Sequence, residues 1–184
     1  MTKVSSCSTF IQPTFVAGID IFNPEAMNKS HTYFMRRAIQ LAQNGMDTNT
    51  GGPFGCVIVK DNCIIAEGVN SVTSTNDPTA HAEVVAIRKA CEALGSFQLD
   101  GCILYTSCEP CPMCLGAIYW ARPKMVVYAC DKADAATIGF DDQFIYSELD
   151  ITPSLRAIPF TQMLREEALA VFRAWDCKEQ KVEY

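Results

Sequence analysis

The feature that most constrains this chain is the pairing of His81-Ala82-Glu83 with Pro110-Cys111-Pro112-Met113-Cys114, about thirty residues further on. One imidazole and two thiolates fill three of the four positions around a tetrahedral zinc ion and leave the fourth for water. Water bound there has a pKa of roughly 7 and supplies hydroxide at neutral pH. A carboxylate that is not a ligand can then carry a proton from that water to a leaving group, and Glu83 is the candidate. Any fold open to this chain has to bring the two segments together around one ion.

Other readings of the same residues exist. Cys111 and Cys114 alone read equally as a redox pair or a structural knuckle. Cys108, Cys111 and Cys114 are evenly spaced, and with His81 they could close a structural Cys3His site that has no open position. That reading leaves Glu83 and the lead-in Asp77-Pro78-Thr79-Ala80 without a purpose. Pro110 suits a helix start, which predicts Cys111 and Cys114 three apart on a first turn, where the helix terminus favours thiolate. The other histidine, His31, precedes a helical run with no cysteine or carboxylate spaced to join it. One tension stands in the pattern. Asp77 as N-cap and Pro78 at the first helical position predict a helix to about Leu94, stopped by Gly95. Residues two apart on a helix do not share a face, so His81 and Glu83 meet one ion only if that first turn points its end into the pocket.

A length of 184 residues fits one domain. No stretch approaches the roughly 20 apolar residues of a membrane span, so no membrane partner is expected. A net charge of −6 and a pI near 4.9 weigh against a nucleic-acid partner, because such binding rests on neutralising phosphates. Ten cysteines without secretory features fit a reducing, cytoplasmic setting, with Cys56, Cys63, Cys91, Cys102 and Cys130 expected as small core residues. Residues 1–27 lack periodicity, and Pro13 breaks their one apolar run. They read as a poorly structured or loosely attached extension, with Met27 as an alternative start, ahead of a domain over residues 28–184.

Along that domain, Ser30 opens a helix with Phe34, Ala38, Leu41 and Ala42 on one stripe and a stop at Gly45. Gly51-Gly52-Pro53-Phe54-Gly55 is a tight loop, either a plain turn or a close approach of backbone to a ligand beside an aromatic face. Strands over Cys56–Lys60 and Ile64–Val69 form a hairpin around Asp61-Asn62. Asn70 can cap or turn, and its amide can also read a base edge. Strands at Cys102–Tyr105 and Met125–Ala129, separated by a helix from Cys111 to Ala121, predict a sheet covered on both faces. Gly139-Phe140-Asp141-Asp142 reads as a loop, and Met163–Trp175 as an amphipathic helix.

His-x-Glu followed by Pro-Cys-x-x-Cys is the signature of zinc deaminases of nucleobases. Residues from about 30 to 184 resemble the guanine deaminases of the cytidine-deaminase-like superfamily. The segments that carry the resemblance are Gly51–Gly55, Asn76–Lys89, Thr106–Pro123, Gly139–Asp142 and the terminal Glu183-Tyr184. The resemblance implies a three-layer α/β/α fold with a central five-stranded mixed sheet, and a homodimer that exchanges carboxyl-terminal segments. It implies one zinc per chain on His81, Cys111 and Cys114, with Glu83 as proton shuttle. Phe54 would stack on a purine, Asn70, the Ala82 backbone and Asp142 would contact its edges, and Trp120 and a partner's Tyr184 would close the pocket. The implied reaction is hydrolysis of a cyclic amidine, guanine to xanthine and ammonia. A guanosine deaminase, or another nucleobase deaminase on the same zinc chemistry, is the alternative.

Overall fold

The computed structural model describes residues 30–183, so the expectations for residues 1–27 and for Tyr184 lie outside the described residues. Helix α1 (His31–Asp47) buries Phe34, Ala38, Leu41 and Ala42, the stripe read from the sequence. It does not stop at Gly45. That glycine is buried inside the helix, where a Cβ would lie 2.8 Å from Val69 Cγ1, so it lets α1 sit close on the sheet. Strands β1 (Gly55–Lys60) and β2 (Cys63–Val69) make the expected antiparallel hairpin, and Asp61 and Asn62 both take the positive φ that a two-residue turn of this hand requires. A short helix α2 (Val72–Thr75) lies in the following loop, before α3 (Ala82–Leu94).

Strand β3 (Ile103–Cys108) pairs antiparallel with β1, and β4 (Met125–Cys130) pairs parallel with β3, giving the order β2-β1-β3-β4. Helix α4 (Pro112–Ala121) supplies the crossover that two parallel strands need. The sheet is mixed as expected, but it has four strands among the described residues rather than five. Past β4 the chain forms α5 (Lys132–Thr137), α6 (Gln143–Asp150), a 3-10 turn (Pro153–Leu155) and α7 (Arg165–Asp176). Among the described residues no strand pairs with the open edge of β4, and residues 159–164 run exposed and without regular structure.

The sheet is buried on both faces at β1 and β3, which is why these strands are apolar at successive positions. On one face Cys56, Ile58 and Leu104 pack with Ala82, Ala86, Ala90, Leu99 and Ile118 of the α3–α4 side. On the other, Val57, Val59 and Tyr105 pack with Phe34, Ala38 and Leu41 of α1. His31 Nδ1 lies 2.8 Å from the Tyr105 hydroxyl, and among the described residues His31 belongs to no group of metal-ligating side chains. The cysteine expectation is corrected in part. Cys56 and Cys102 are buried and Cys91 is partly so, whereas Cys63 and Cys130 are exposed. Cys63 begins β2 at the hairpin turn, and Cys130 ends β4, the edge strand among the described residues.

Candidate active site

The expected helix start at Pro78 is displaced by four residues. The Asp77 carboxylate accepts from the Thr79 amide at 2.8 Å and the Thr79 hydroxyl at 2.7 Å, and the Ala80 carbonyl accepts the Ser71 amide at 2.9 Å. These bonds hold Asp77–Ala80 as turns facing the α2 loop. Helix α3 therefore begins at Ala82, with His81 as its N-cap on extended backbone (φ −69°, ψ 153°) and Glu83 in the first turn. The face conflict disappears: His81 is not yet helical, and both side chains reach the same space.

The second segment arrives the same way. Cys111 is the N-cap of α4 with extended backbone, Pro112 rather than Pro110 is the proline at the helix start, and Cys114 is on the first turn. His81 Nδ1 lies 3.5 Å from Cys111 Sγ and 3.5 Å from Cys114 Sγ. Zinc bonds of about 2.0 Å to nitrogen and 2.3 Å to sulfur, at a tetrahedral angle, separate such ligand atoms by about 3.5 Å. The donor set therefore fits zinc, and all three ligand atoms lie within 4.8 Å of one another. The pKa of Cys111 is drawn down to about 4 by the neighbouring Cys114 and by His81, while that of Cys114 is pushed up by Cys111 and by burial. Cys108 stands apart: its thiol donates to the Asp131 carbonyl at 3.5 Å, and burial pushes its pKa up to about 11.

Glu83 is buried at the floor of this arrangement. Its Oε2 accepts from Cys114 Sγ at 3.5 Å and its Oε1 accepts from the Thr106 hydroxyl at 3.2 Å. Burial raises its pKa above the usual carboxylate range, the direction that suits a group asked to take up and return a proton near neutrality. Among the walls of the adjoining cavity, of about 540 Å³, are Phe54, Asn70, His81, Glu83, Cys111 and Asp142, together with apolar Met113, Phe140, Phe144 and Ile145.

Phe54 meets the Phe140 ring edge-on, with centroids 4.9 Å apart. The Asn70 Oδ1 accepts the Gly52 amide at 3.1 Å and lies 3.4 Å from the Val72 amide, so this oxygen holds the loop. Gly51 packs so tightly there that a Cβ would lie 2.2 Å from the Asn70 carbonyl oxygen. Of the paired aspartates, Asp141 accepts the Gln143 amide at 2.9 Å as a turn residue, whereas the Asp142 side chain makes no cap bond at the start of α6. Burial, then the nearby Cys111, raises the Asp142 pKa. Ala82 occupies the first helical position, so its amide belongs to the group that a helix leaves without an internal acceptor.

Trp120 is not brought to this cavity. It lines a second depression with Val84, Ile87, Arg88 and Phe97, because the α4 face that carries Cys114, Ile118 and Ala121 points to the sheet and Trp120 points away. Sequence reasoning gave no role to Thr106, Ser107 or Phe140. Thr106 and Ser107 are hydroxyl residues in an otherwise apolar strand, and that anomaly was the available signal; Ser107 Oγ accepts the Gly55 amide at 3.0 Å and ties the Phe54 loop to β3.

Residues 28–130 match the family described as the cytidine and deoxycytidylate deaminase zinc-binding region. The chain is 62% identical over 155 residues to a guanine deaminase of Bacillus subtilis (strain 168), covering 84% of this chain and 99% of that protein. The X-ray structure of the Bacillus subtilis guanine deaminase superimposes with a TM-score of 0.83, covering 85% of this chain and 99% of the other. A guanine deaminase structure from Nitrosomonas europaea matches with a TM-score of 0.59 at 28% identity, covering 90% of this chain and 98% of the other. A tRNA-specific adenosine deaminase of Aquifex aeolicus (strain VF5) is 39% identical over 107 residues, 58% of this chain and 70% of that protein.

Proposed function

The chain belongs to the cytidine and deoxycytidylate deaminase zinc-binding family, and from that premise we propose that it hydrolyses guanine to xanthine and ammonia, with His81, Cys111 and Cys114 as zinc ligands and Glu83 as proton shuttle. The observation that carries the reading is the placement of the buried Glu83 carboxylate 3.5 Å from Cys114 Sγ, beside the His81–Cys111–Cys114 set in a walled cavity.

Zinc, when bound, supplies an activated water near neutral pH. Glu83 takes a proton from the attacking water and returns it to the amine leaving C2, so that guanine and water become xanthine and ammonia. Phe54 offers its face to the purine ring. Asp142 accepts from N1–H and the 2-amino group together, a pattern that guanine presents and adenine does not. The Asn70 NH2 group donates to an acceptor on the opposite edge, its oxygen being committed to the Gly52 amide. The acidic balance of the chain, net −6, supports a free base over a tRNA substrate.

The reading extends to assembly. No residue from Asp131 to Glu183 is buried, although this stretch carries Phe144, Leu149, Ile158, Phe160, Phe172 and Trp175. Such a segment gains its burial from a second copy, which supports a homodimer whose carboxyl-terminal parts are exchanged and whose Tyr184 closes the partner's pocket. Residues 28–184 then form the deaminase domain, with residues 1–27 as an extension. No helix among the described residues is long and apolar enough to cross a membrane, and the nine described cysteines are free thiols, which supports a reducing, cytoplasmic setting.

The test is ammonia release from guanine, guanosine, cytosine and adenine by the zinc-loaded protein, with xanthine identified as product. Guanine is expected to lead the panel. The specific observation in favour of guanosine is the cavity volume, which exceeds what a purine ring needs; preference for guanosine or cytosine overturns the assignment.

A further inference from the structure

Thr106 is 1% exposed in the middle of β3, and its strand neighbours on the α3 side are apolar. Its antiparallel register partner is Cys56, and Cys56, Ile58 and Leu104 belong to the core cluster beneath α3. A valine has the same branched shape and suits such a position without bringing in a polar atom. The hydroxyl is therefore the unusual feature, and a buried hydroxyl without a partner is costly. Its partner is the Glu83 carboxylate, at 3.2 Å from Oγ1 to Oε1. The second carboxylate oxygen, Oε2, lies 3.5 Å from Cys114 Sγ. Thr106 thus holds one oxygen of Glu83 from the sheet side, while the other faces the ligand set at the first turn of α4.

We propose that Thr106 is a positioning residue for the reaction: its hydroxyl anchors Oε1 of Glu83 and thereby keeps Oε2 aimed at the His81–Cys111–Cys114 ligand set. The inference rests on the role given to Glu83 above. Without the anchor the carboxylate is free to rotate about its terminal torsion, which is a soft one. Proton transfer then waits on a rarer geometry, while the groups that contact the purine face and edges are untouched. The loss falls on kcat and not on KM. A misplacement of about 1 Å costs on the order of 10²-fold in rate, so a tenfold to hundredfold fall in kcat is expected.

The experiment compares zinc-loaded wild type, Thr106→Val and Thr106→Ser on guanine, and determines a crystal structure of zinc-loaded Thr106→Val. Expected results are a kcat lowered on the order of 10- to 100-fold in Thr106→Val, KM and zinc content near wild type, recovery of most of the rate in Thr106→Ser, and a Glu83 carboxylate turned from its present orientation in the crystal. A wild-type kcat in Thr106→Val, a Thr106→Ser protein as slow as the valine variant, or an unmoved Glu83 overturns the proposal. Thr106→Ala gives the same comparison if valine does not pack. Should wild type release no ammonia from guanine, the functional reading fails, and the Glu83 orientation in the crystal still decides the positioning role because it depends on no substrate.

Discussion

His81 Nδ1 lies 3.5 Å from Cys114 Sγ although 33 residues separate them in the chain. The distance equals the separation that a shared tetrahedral zinc imposes, and the third evenly spaced thiol, Cys108, is turned to the Asp131 carbonyl instead. Cys108→Ser is therefore expected to retain one zinc per chain by metal analysis. His81→Ala, Cys111→Ser and Cys114→Ser are each expected to lose most of it. Metal loss in Cys108→Ser with retention in Cys114→Ser reverses the ligand assignment.

Glutamine at position 83 keeps the size of the side chain and can still accept from the Thr106 hydroxyl, but it cannot take a proton from water. Glu83→Gln should keep its fold by circular dichroism and its zinc, and lose activity by at least about 10²–10⁴-fold. Near-normal turnover in the zinc-loaded variant would sink the proton-shuttle role.

Asn70 combines two tasks that substitutions can separate. In Asn70→Asp an oxygen still accepts the Gly52 amide, while the donor on the cavity side becomes a second acceptor. Stability should be near wild type and KM for guanine should rise. In Asn70→Ala the loop also loses its bond, and urea denaturation should show a loss of about 1 kcal/mol. Equal stability of the two variants would argue against the loop-holding role of the oxygen.

Arg37 of α1 grips Glu67 of β2 through two bonds of 2.7 Å each, at a partly exposed site. The guanidinium bond holds the Glu67 pKa below the usual carboxylate range, partly offset by burial. A depressed folded-state pKa means that the pair stabilises the fold above the unfolded value of about 4.3 and that this stability is lost as pH falls through the folded value. Glu67→Gln should cost about 0.5–1 kcal/mol near neutrality. The gap between variant and wild type should close as the pH is taken below about 4, measured by urea denaturation. A gap that persists unchanged in acid would show that packing, not charge, carries the effect.

A chain ending at Gln180 lacks Glu183 and Tyr184, the proposed lid over a partner's pocket. Closure by such a tail excludes water and crowds a ribose. Truncation should depress guanine turnover sharply, leave zinc content intact and narrow the preference for guanine over guanosine. Unchanged steady-state rates on both substrates would dismiss the lid. Light scattering of the intact chain should give the mass of a dimer.

Much of the molecule is fixed by local chemistry. Residue types and spacing point to His81 and the Cys111–Cys114 pair as the proposed zinc ligands, since they match one coordination chemistry and His31 has no ligand spaced to join it. The hairpin at Asp61-Asn62 follows from two residues that tolerate positive φ between apolar runs, and the α1 stripe follows from helical spacing. What spacing rules cannot see is competition for the same backbone. Asp77 and Pro78 form a helix start in isolation, but the Ser71 amide takes the Ala80 carbonyl and delays α3 to Ala82, which is what turns His81 and Glu83 toward one point. Gly45 signals a stop, yet contact with Val69 keeps it helical. The role of Thr106, the direction of the Asn70 amide, the exposure of Cys130 at the end of β4 and the absence of Trp120 from the cavity all depend on which distant element packs alongside. The sequence named the groups that can do the chemistry; long-range packing alone decided which atoms of those groups face one another.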